Sequence, residues 1–198
     1  IALRNILRDK VYSLINVTGL TIGITCSLFL LMYIVDELSY DRYHVKAENI
    51  YSNVSDIKEQ DDAFNWADTQ MPLAEELRDN YPEVTNAVRF FGMSRDLFQV
   101  GDKEFYESDF MFADSTVFDT FTYSFLAGDP GTALDAPLSI VLTEAVARKY
   151  FGDPASALNQ SMRANRRQED FKVTGVIRDV PFNSHFRFDA LISRNSRA

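Results

Sequence analysis

His44 falls on a helical row with Glu37, Asp41 and Glu48, spaced three or four residues apart. On one continuous helix face, an imidazole and three carboxylates could ligate a metal ion. A solvated, charged face explains the same spacing with fewer assumptions. The second histidine, His185, stands in Asn183-Ser184-His185-Phe186, with a serine beside it and Asp189 four residues on. A Ser/His/Asp relay needs a spatial arrangement that adjacency cannot supply, so a hydrogen-bonded turn histidine is expected. Glu59, Asp61 and Asp62 could attract a cation, but such a charge run reads first as a polar loop. The sequence has no G-x-x-x-x-G-K-[ST], C-x-x-C, H-E-x-x-H or G-x-S-x-G, so neither a P-loop nor the common metal and acyl-transfer motifs are present. No catalytic, cofactor-binding or metal-binding residue is assigned.

The element that positions everything else is the run Val11 to Val35, which contains no Asp, Glu, Lys, Arg or His. At about 1.5 Å per residue a helix of that length reaches roughly 37 Å, enough to cross a hydrocarbon core of about 30 Å. A cleaved signal carries a shorter apolar stretch, of about 7–15 residues, followed by a small-residue site. Tyr33-Ile34-Val35-Asp36-Glu37 offers no such site, so residues 11–35 are expected to be a permanent transmembrane helix. Arg4, Arg8 and Lys10 precede it against a single acid, Asp9. By the positive-inside rule the N-terminus lies in the cytoplasm and residues 36–198 lie outside it. Residues 36–198 hold 17 basic and 28 acidic residues, a net charge of −11, which argues against nucleic acid as a partner.

Residues 1–10 have their own pattern. Apolar Ala2, Leu3, Ile6 and Leu7 recur at helical spacing, with Arg4 and Arg8 on another face. Two readings stand: a basic amphipathic segment in the headgroup layer, or the snorkelling start of the membrane helix. Within the span, Gly19 and Gly23 form G-x-x-x-G, Ser27 continues the row, and Asn16 lies close to it. Close backbone approach along small residues drives helix association in lipid. The stripe is therefore expected to pack against a second copy or against further spans beyond Ala198.

Residues 36–198 suit one ordinary domain or two small intertwined ones, and the only cysteine, Cys26, lies inside the apolar run. Alternation over Ile50 to Ile57 predicts a half-buried strand. Pro72 opens a short helix over Leu73 to Asn80, and Val84 to Phe91 reads as a second strand. Phe98 to Val100 and Lys103 to Phe105 flank Gly101-Asp102 as a hairpin. Ser139 to Leu142 reads as a short strand, followed by a helix over Glu144 to Phe151 capped by Thr143 and stopped by Gly152. Ser161 to Ala164 and Phe171 to Ile177 form a last pair around a polar turn. The expected fold is α+β: one N-terminal transmembrane helix, then a mixed α/β domain with antiparallel sheet.

Several stretches carry a family resemblance. They are Ala2 to Lys10 leading into Ile15 to Gly23, then Asp36-Glu37-Leu38-Ser39-Tyr40-Asp41-Arg42-Tyr43-His44. Further on come Leu142 to Asp153, Val173 to Ile177, and Asp179-Val180-Pro181-Phe182-Asn183-Ser184-His185-Phe186. In this order they resemble the N-terminal part of an FtsX/MacB-type ABC-transporter permease, while residues 56–135 are placed by position alone. The resemblance implies that residues 36–198 form a MacB-like periplasmic core domain anchored in the inner membrane. It implies a separate cytoplasmic ABC ATPase, a permease dimer and a periplasmic adaptor protein as partners, besides the lipid bilayer. The permease would relay motion outward to export peptides, drugs or lipoproteins. Arg4, Arg8 and Lys10 would then lie near the ATPase or lipid heads. That family has at least three more membrane helices, so the chain is expected to be a piece of a longer permease. The rival reading is a single-pass membrane-anchored binding or sensing module.

Overall fold

The structure, a computed structural model, describes residues 10–53, 55–59, 62–66, 70 and 72–196. The chain divides into two compact units, residues 1–41 and 42–198.

The first unit is built on helix α1 (Lys10–Glu37), which is 28 residues long and buries none of them. It begins one residue before the expected span and ends two after it. Its apolar residues lie on all sides, a pattern suited to lipid or to a large core and unlike that of a surface helix. It is long and apolar enough to cross a membrane. The Ser39 hydroxyl then donates to the Asp36 carbonyl at 2.7 Å, and Asp41 turns left-handed at φ +55°. The helix therefore stops short of Asp41 and His44. The row of Glu37, Asp41, His44 and Glu48 never forms one helical face, because the period that would align them ends at Glu37.

In the second unit, β1 (Ser55–Glu59) and β2 (Asp62–Trp66) make a separate two-stranded hairpin. Glu59 and Asp62 are opposed at its turn, while Asp61 lies outside the described residues. A nine-stranded sheet holds β3 (Phe90–Gly92), β4 (Asp96–Val100), β5 (Lys103–Glu107), β6 (Phe110–Ala113), β7 (Phe125–Gly128), β8 (Ser139–Thr143), β9 (Ser161–Ala164), β10 (Glu169–Ile177) and β11 (Ala190–Ser193). Its order is β3-β6-β11-β8-β10-β9-β4-β5, with β7 also on β10. Most neighbours are antiparallel, but β10–β8 and β11–β6 run parallel, so the sheet is mixed. Three helices complete the unit: α2 (Leu73–Asn80), α3 (Val117–Thr120) and α4 (Glu144–Phe151).

Every residue of β8 and β11 is buried, as expected of central strands covered on both faces. On one face Ile140, Leu142 and Ile192 pack under Val146, Ala147 and Tyr150 of α4. On the other, Val141, Ile177 and Leu191 meet Val117, Phe121, Leu134 and Phe188. The β10–β8 register shifts between Val173 and Gly175. This bulge breaks the two-residue alternation, so that Val173 and Val176 both serve the α4 face. Opposite it, Gly128 (φ +92°) pairs with Gly175. A Cβ on Gly128 would lie 2.4 Å from the Thr174 carbonyl oxygen, and one on Gly175 would lie 2.7 Å from the Phe125 ring.

The predicted β4–β5 hairpin turns at Gly101 (φ +57°), and Gly152 (φ +83°) ends α4. Other expectations change. Residues 51–53 are not strand, and β1 starts only at Ser55. Of Val84 to Phe91, only Phe90 and Phe91 enter a ladder. Side chains accept from backbone N–H groups there instead: the Arg89 N–H donates to Asp114 Oδ2, and the Ala87 N–H donates to Asn86 Oδ1. Thr143 occupies the N-cap of α4 without capping it. The Ala145 N–H donates to Asp179 Oδ1 at 2.8 Å, and the buried Thr143 hydroxyl has no partner. A carboxylate reaching across from the end of β10 has taken the role.

Candidate functional site

The small-residue stripe of α1 is open along its length: Asn16, Gly19, Gly23 and Ser27 are all exposed. A Cβ on Gly19 or Gly23 would meet nothing within 4 Å. The Ser27 hydroxyl donates to the Gly23 carbonyl at 2.9 Å, so it adds little polarity to the stripe. Lys10 opens the helix and is exposed, whereas Arg4 and Arg8 lie outside the described residues.

In the second unit, residues 43–46 are fastened to α3 and to two connecting segments beside the sheet. Tyr43 Oη and Ser184 Oγ are hydrogen-bonded at 2.9 Å. His44 is buried, and its Nδ1 accepts the Thr122 N–H at 3.0 Å; in the neutral ring the proton therefore sits on Nε2. The imidazole packs edge-on to Phe121 and Tyr123, with ring centres 5.2 and 5.7 Å away. The Val45 N–H donates to Thr122 Oγ1, and the Lys46 amine donates to the Asp119 carbonyl. Phe186, two residues past Ser184, stacks on Phe90 at 4.9 Å and meets Phe121 at 5.6 Å. Two sequence stretches noted separately, 36–44 and 179–186, thus supply partners to one another. Beside the junction is an open depression of about 350 Å³, lined by Lys46, Phe118, Thr122 and Pro130 among others.

The Ser184 hydroxyl is engaged with Tyr43 and, at 3.4 Å, the Phe186 carbonyl, while His185 is exposed. His44 serves as a core acceptor. No group of three or more His, Cys, Asp or Glu side chains among the described residues is placed to hold a metal ion.

The perturbed ionisable groups lie elsewhere and brace the sheet. Burial pushes the Asp114 carboxyl up, but hydrogen bonds from Arg89 and Arg194 outweigh it and hold it below the usual carboxylate range. Arg89 is raised in turn, chiefly by its bond to Asp114. Glu107 accepts from the Tyr150 hydroxyl and the Lys149 amine, both at 2.7 Å. Burial, then Glu107, drives the Tyr150 phenol far up. Burial also raises Asp189, with Asp109 and Glu107 adding repulsion.

Known proteins were compared with this arrangement. Residues 13–197 match the MacB-like periplasmic core domain. Among solved structures, a permease-protein domain from Porphyromonas gingivalis has a TM-score of 0.55 at 23% identity, covering 62% of this chain and 56% of that one. The periplasmic region of MacB from Actinobacillus actinomycetemcomitans gives 0.46 at 18% identity, covering 62% and 54%. The extracellular domain of the noncanonic ABC-type transporter YknZ from Gram-positive bacteria gives 0.42 at 14%, covering 55% and 54%. The match thus spans little more than half of each of these structures. No curated protein matches the sequence significantly. The likeness to the Porphyromonas domain is one of fold, whereas the sequence match runs through nearly the whole chain, and on that basis the chain belongs to the MacB-like periplasmic core domain family.

Proposed function

We propose that this chain is part of a permease subunit of an ABC transporter that works by mechanotransmission. A separate cytoplasmic ATPase hydrolyses ATP, and the permease carries the resulting motion across the inner membrane to its periplasmic domain, exporting or extruding peptides, drugs or lipoproteins. In this reading residues 1–10 face the cytoplasm and α1 crosses the bilayer. The stripe of Asn16, Gly19, Gly23 and Ser27 packs against another membrane helix, in a permease dimer. A periplasmic adaptor is a further partner.

The observation that carries the reading is the fastening of residues 43–46. Four residues, Leu38 to Asp41, separate the end of α1 from Arg42, and none is Gly or Pro. Directly beyond them, Tyr43, His44, Val45 and Lys46 each hydrogen-bond to the sheet domain. A load arriving along the backbone passes into the sheet domain, through α3 and the connecting segments, within a residue or two, whereas a Gly/Ser linker would absorb it. Membership of the family and the Porphyromonas permease fold support the same reading.

The test uses the whole permease, tagged and expressed with its cytoplasmic ATPase. The ATPase is expected to copurify, and spin labels on the outer domains should change separation with the nucleotide state. A Gly-Ser insertion between Ser39 and Tyr40 should keep ATP hydrolysis and abolish that change. Failure to copurify an ATPase, or full movement with the insertion in place, would overturn the proposal.

A further inference from the structure

The surface around the junction combines exposed apolar side chains with unpaired cations. Phe182 is 72% exposed and Val45 is 85% exposed. Arg42, Arg178 and Arg187 are exposed, and none forms an ion pair among the described residues. These groups belong to one hydrogen-bonded locality. The turn carrying Phe182 and Arg187 is tied to Tyr43 through Ser184. The Arg178 N–H donates to the Ser124 carbonyl, two residues from the Thr122 that holds His44 and Val45. In a domain of net charge −11, residues 42–46 and 178–187 hold four basic residues, Arg42, Lys46, Arg178 and Arg187, against a single acid, Asp179, whose Oδ1 accepts the Ala145 N–H.

We infer that residues 42–46 and the turn 178–187 form a foot that seats in the phospholipid headgroup layer. Phe182 and Val45 enter the interface, and Arg42, Arg178 and Arg187 face lipid phosphate. The inference rests on α1 as the membrane span proposed above. Five residue steps from Glu37 to Arg42 reach at most about 18 Å even when fully extended. A 28-residue helix is about 42 Å long, which already carries its end into the headgroup region of a bilayer about 40–45 Å thick overall. Chain length thus keeps Arg42, and the turn bonded to its neighbour, near lipid. Apolar tips ringed by Arg are the chemistry that such an interface takes up.

The test reconstitutes the full chain in nanodiscs with and without phosphatidylglycerol and places an indole at the site by F182W in a W66F background. Brominated lipid should quench most of that emission, and the quenching should fall when phosphatidylglycerol is omitted or when R42E/R187E is added. Maleimide labelling of Cys26 runs in parallel. If a water-soluble maleimide labels Cys26, α1 does not span, and the span and the foot fail together. If Cys26 is shielded while aqueous iodide quenches the F182W indole and brominated lipid does not, the foot alone is wrong. An indole shielded from both quenchers is covered by protein, which also overturns it. Phe182 is a surface residue, so F182D should keep the folded melting transition and lose the lipid contact.

Discussion

An added Cβ at Gly19 or Gly23 of α1 would meet no atom within 4 Å, whereas at Gly128 of the sheet it would lie 2.4 Å from the Thr174 carbonyl oxygen. The sheet glycines are needed by the fold that contains them: Gly128 has a left-handed backbone pressed against Thr174, and Gly175 leaves room for the Phe125 ring. Among the described residues, no neighbour requires a glycine at either helix position. In a helix, each costs about 1 kcal/mol relative to Ala. Burial divides the same way, since α1 buries no residue while β8 and β11 bury all of theirs. The sheet completes itself, whereas the helix leaves its apolar sides and its small-residue stripe open.

The strongest way to break this comparison is to give both regions side chains. Gly128→Val should cost more than about 4 kcal/mol, through backbone overlap and strain together, and abolish the cooperative melt of the outer domain. Gly19→Leu with Gly23→Leu should leave that melt in place while removing association of the span, read by copurification of differently tagged copies. If the helix pair assembled normally, the open stripe would have no role in packing.

Next in size, Asp114→Ala should cost about 3 kcal/mol, because it leaves Arg89 and Arg194 facing a lost partner. With its folded pKa held low, this carboxylate contributes stability above about pH 4 and loses it as pH falls through the folded value. Asp114→Asn should flatten that acid limb in a pH series of denaturant melts. Tyr43→Phe removes one hydrogen bond to Ser184 and should cost about 1 kcal/mol; no change would mean that the bonds and ring contacts of residues 44–46 fasten the stretch without it. Smallest of all, Asp189→Asn should stabilise the domain. Its folded pKa is raised, so the stability it contributes is present below about pH 4 and lost as pH rises through the folded value. The gain at neutral pH should stay below about 1 kcal/mol, since the group is partly solvated, and should vanish in acid.

What could be read from the sequence followed from local physics. The charge-free run, the turn at Gly101, the strand-to-helix passage at Thr143 and the stop at Gly152 each depend on neighbours a few residues away. β6 (Phe-Met-Phe-Ala) and β11 (Ala-Leu-Ile-Ser) have, like the fully buried β8, no alternation to reveal, and they lack the adjacent β-branched Ile-Val pair that marks β8 as a strand. Their parallel pairing with each other links residues 80 apart. The cap of α4 was assigned to the nearest hydroxyl, whereas the carboxylate that supplies it stands 34 residues away from its Ala145 partner. The junction was half visible: both of its stretches stood out, and only the fold shows that they meet.

The bond between Tyr43 and Ser184 joins residues 141 apart in sequence, which sets a timetable for biogenesis. Ribosomes add about 5–20 residues per second, so roughly 7–28 s pass between the synthesis of the two partners. For the first part of that interval His44 lacks Phe121 and Tyr123, the rings it later packs on, and for all of it Tyr43 lacks Ser184. The first part of the outer domain to be made is therefore among the last to be locked. A nascent chain arrested before Ser184 should remain cleavable by protease at residues 42–46, and release of the arrest should protect that stretch.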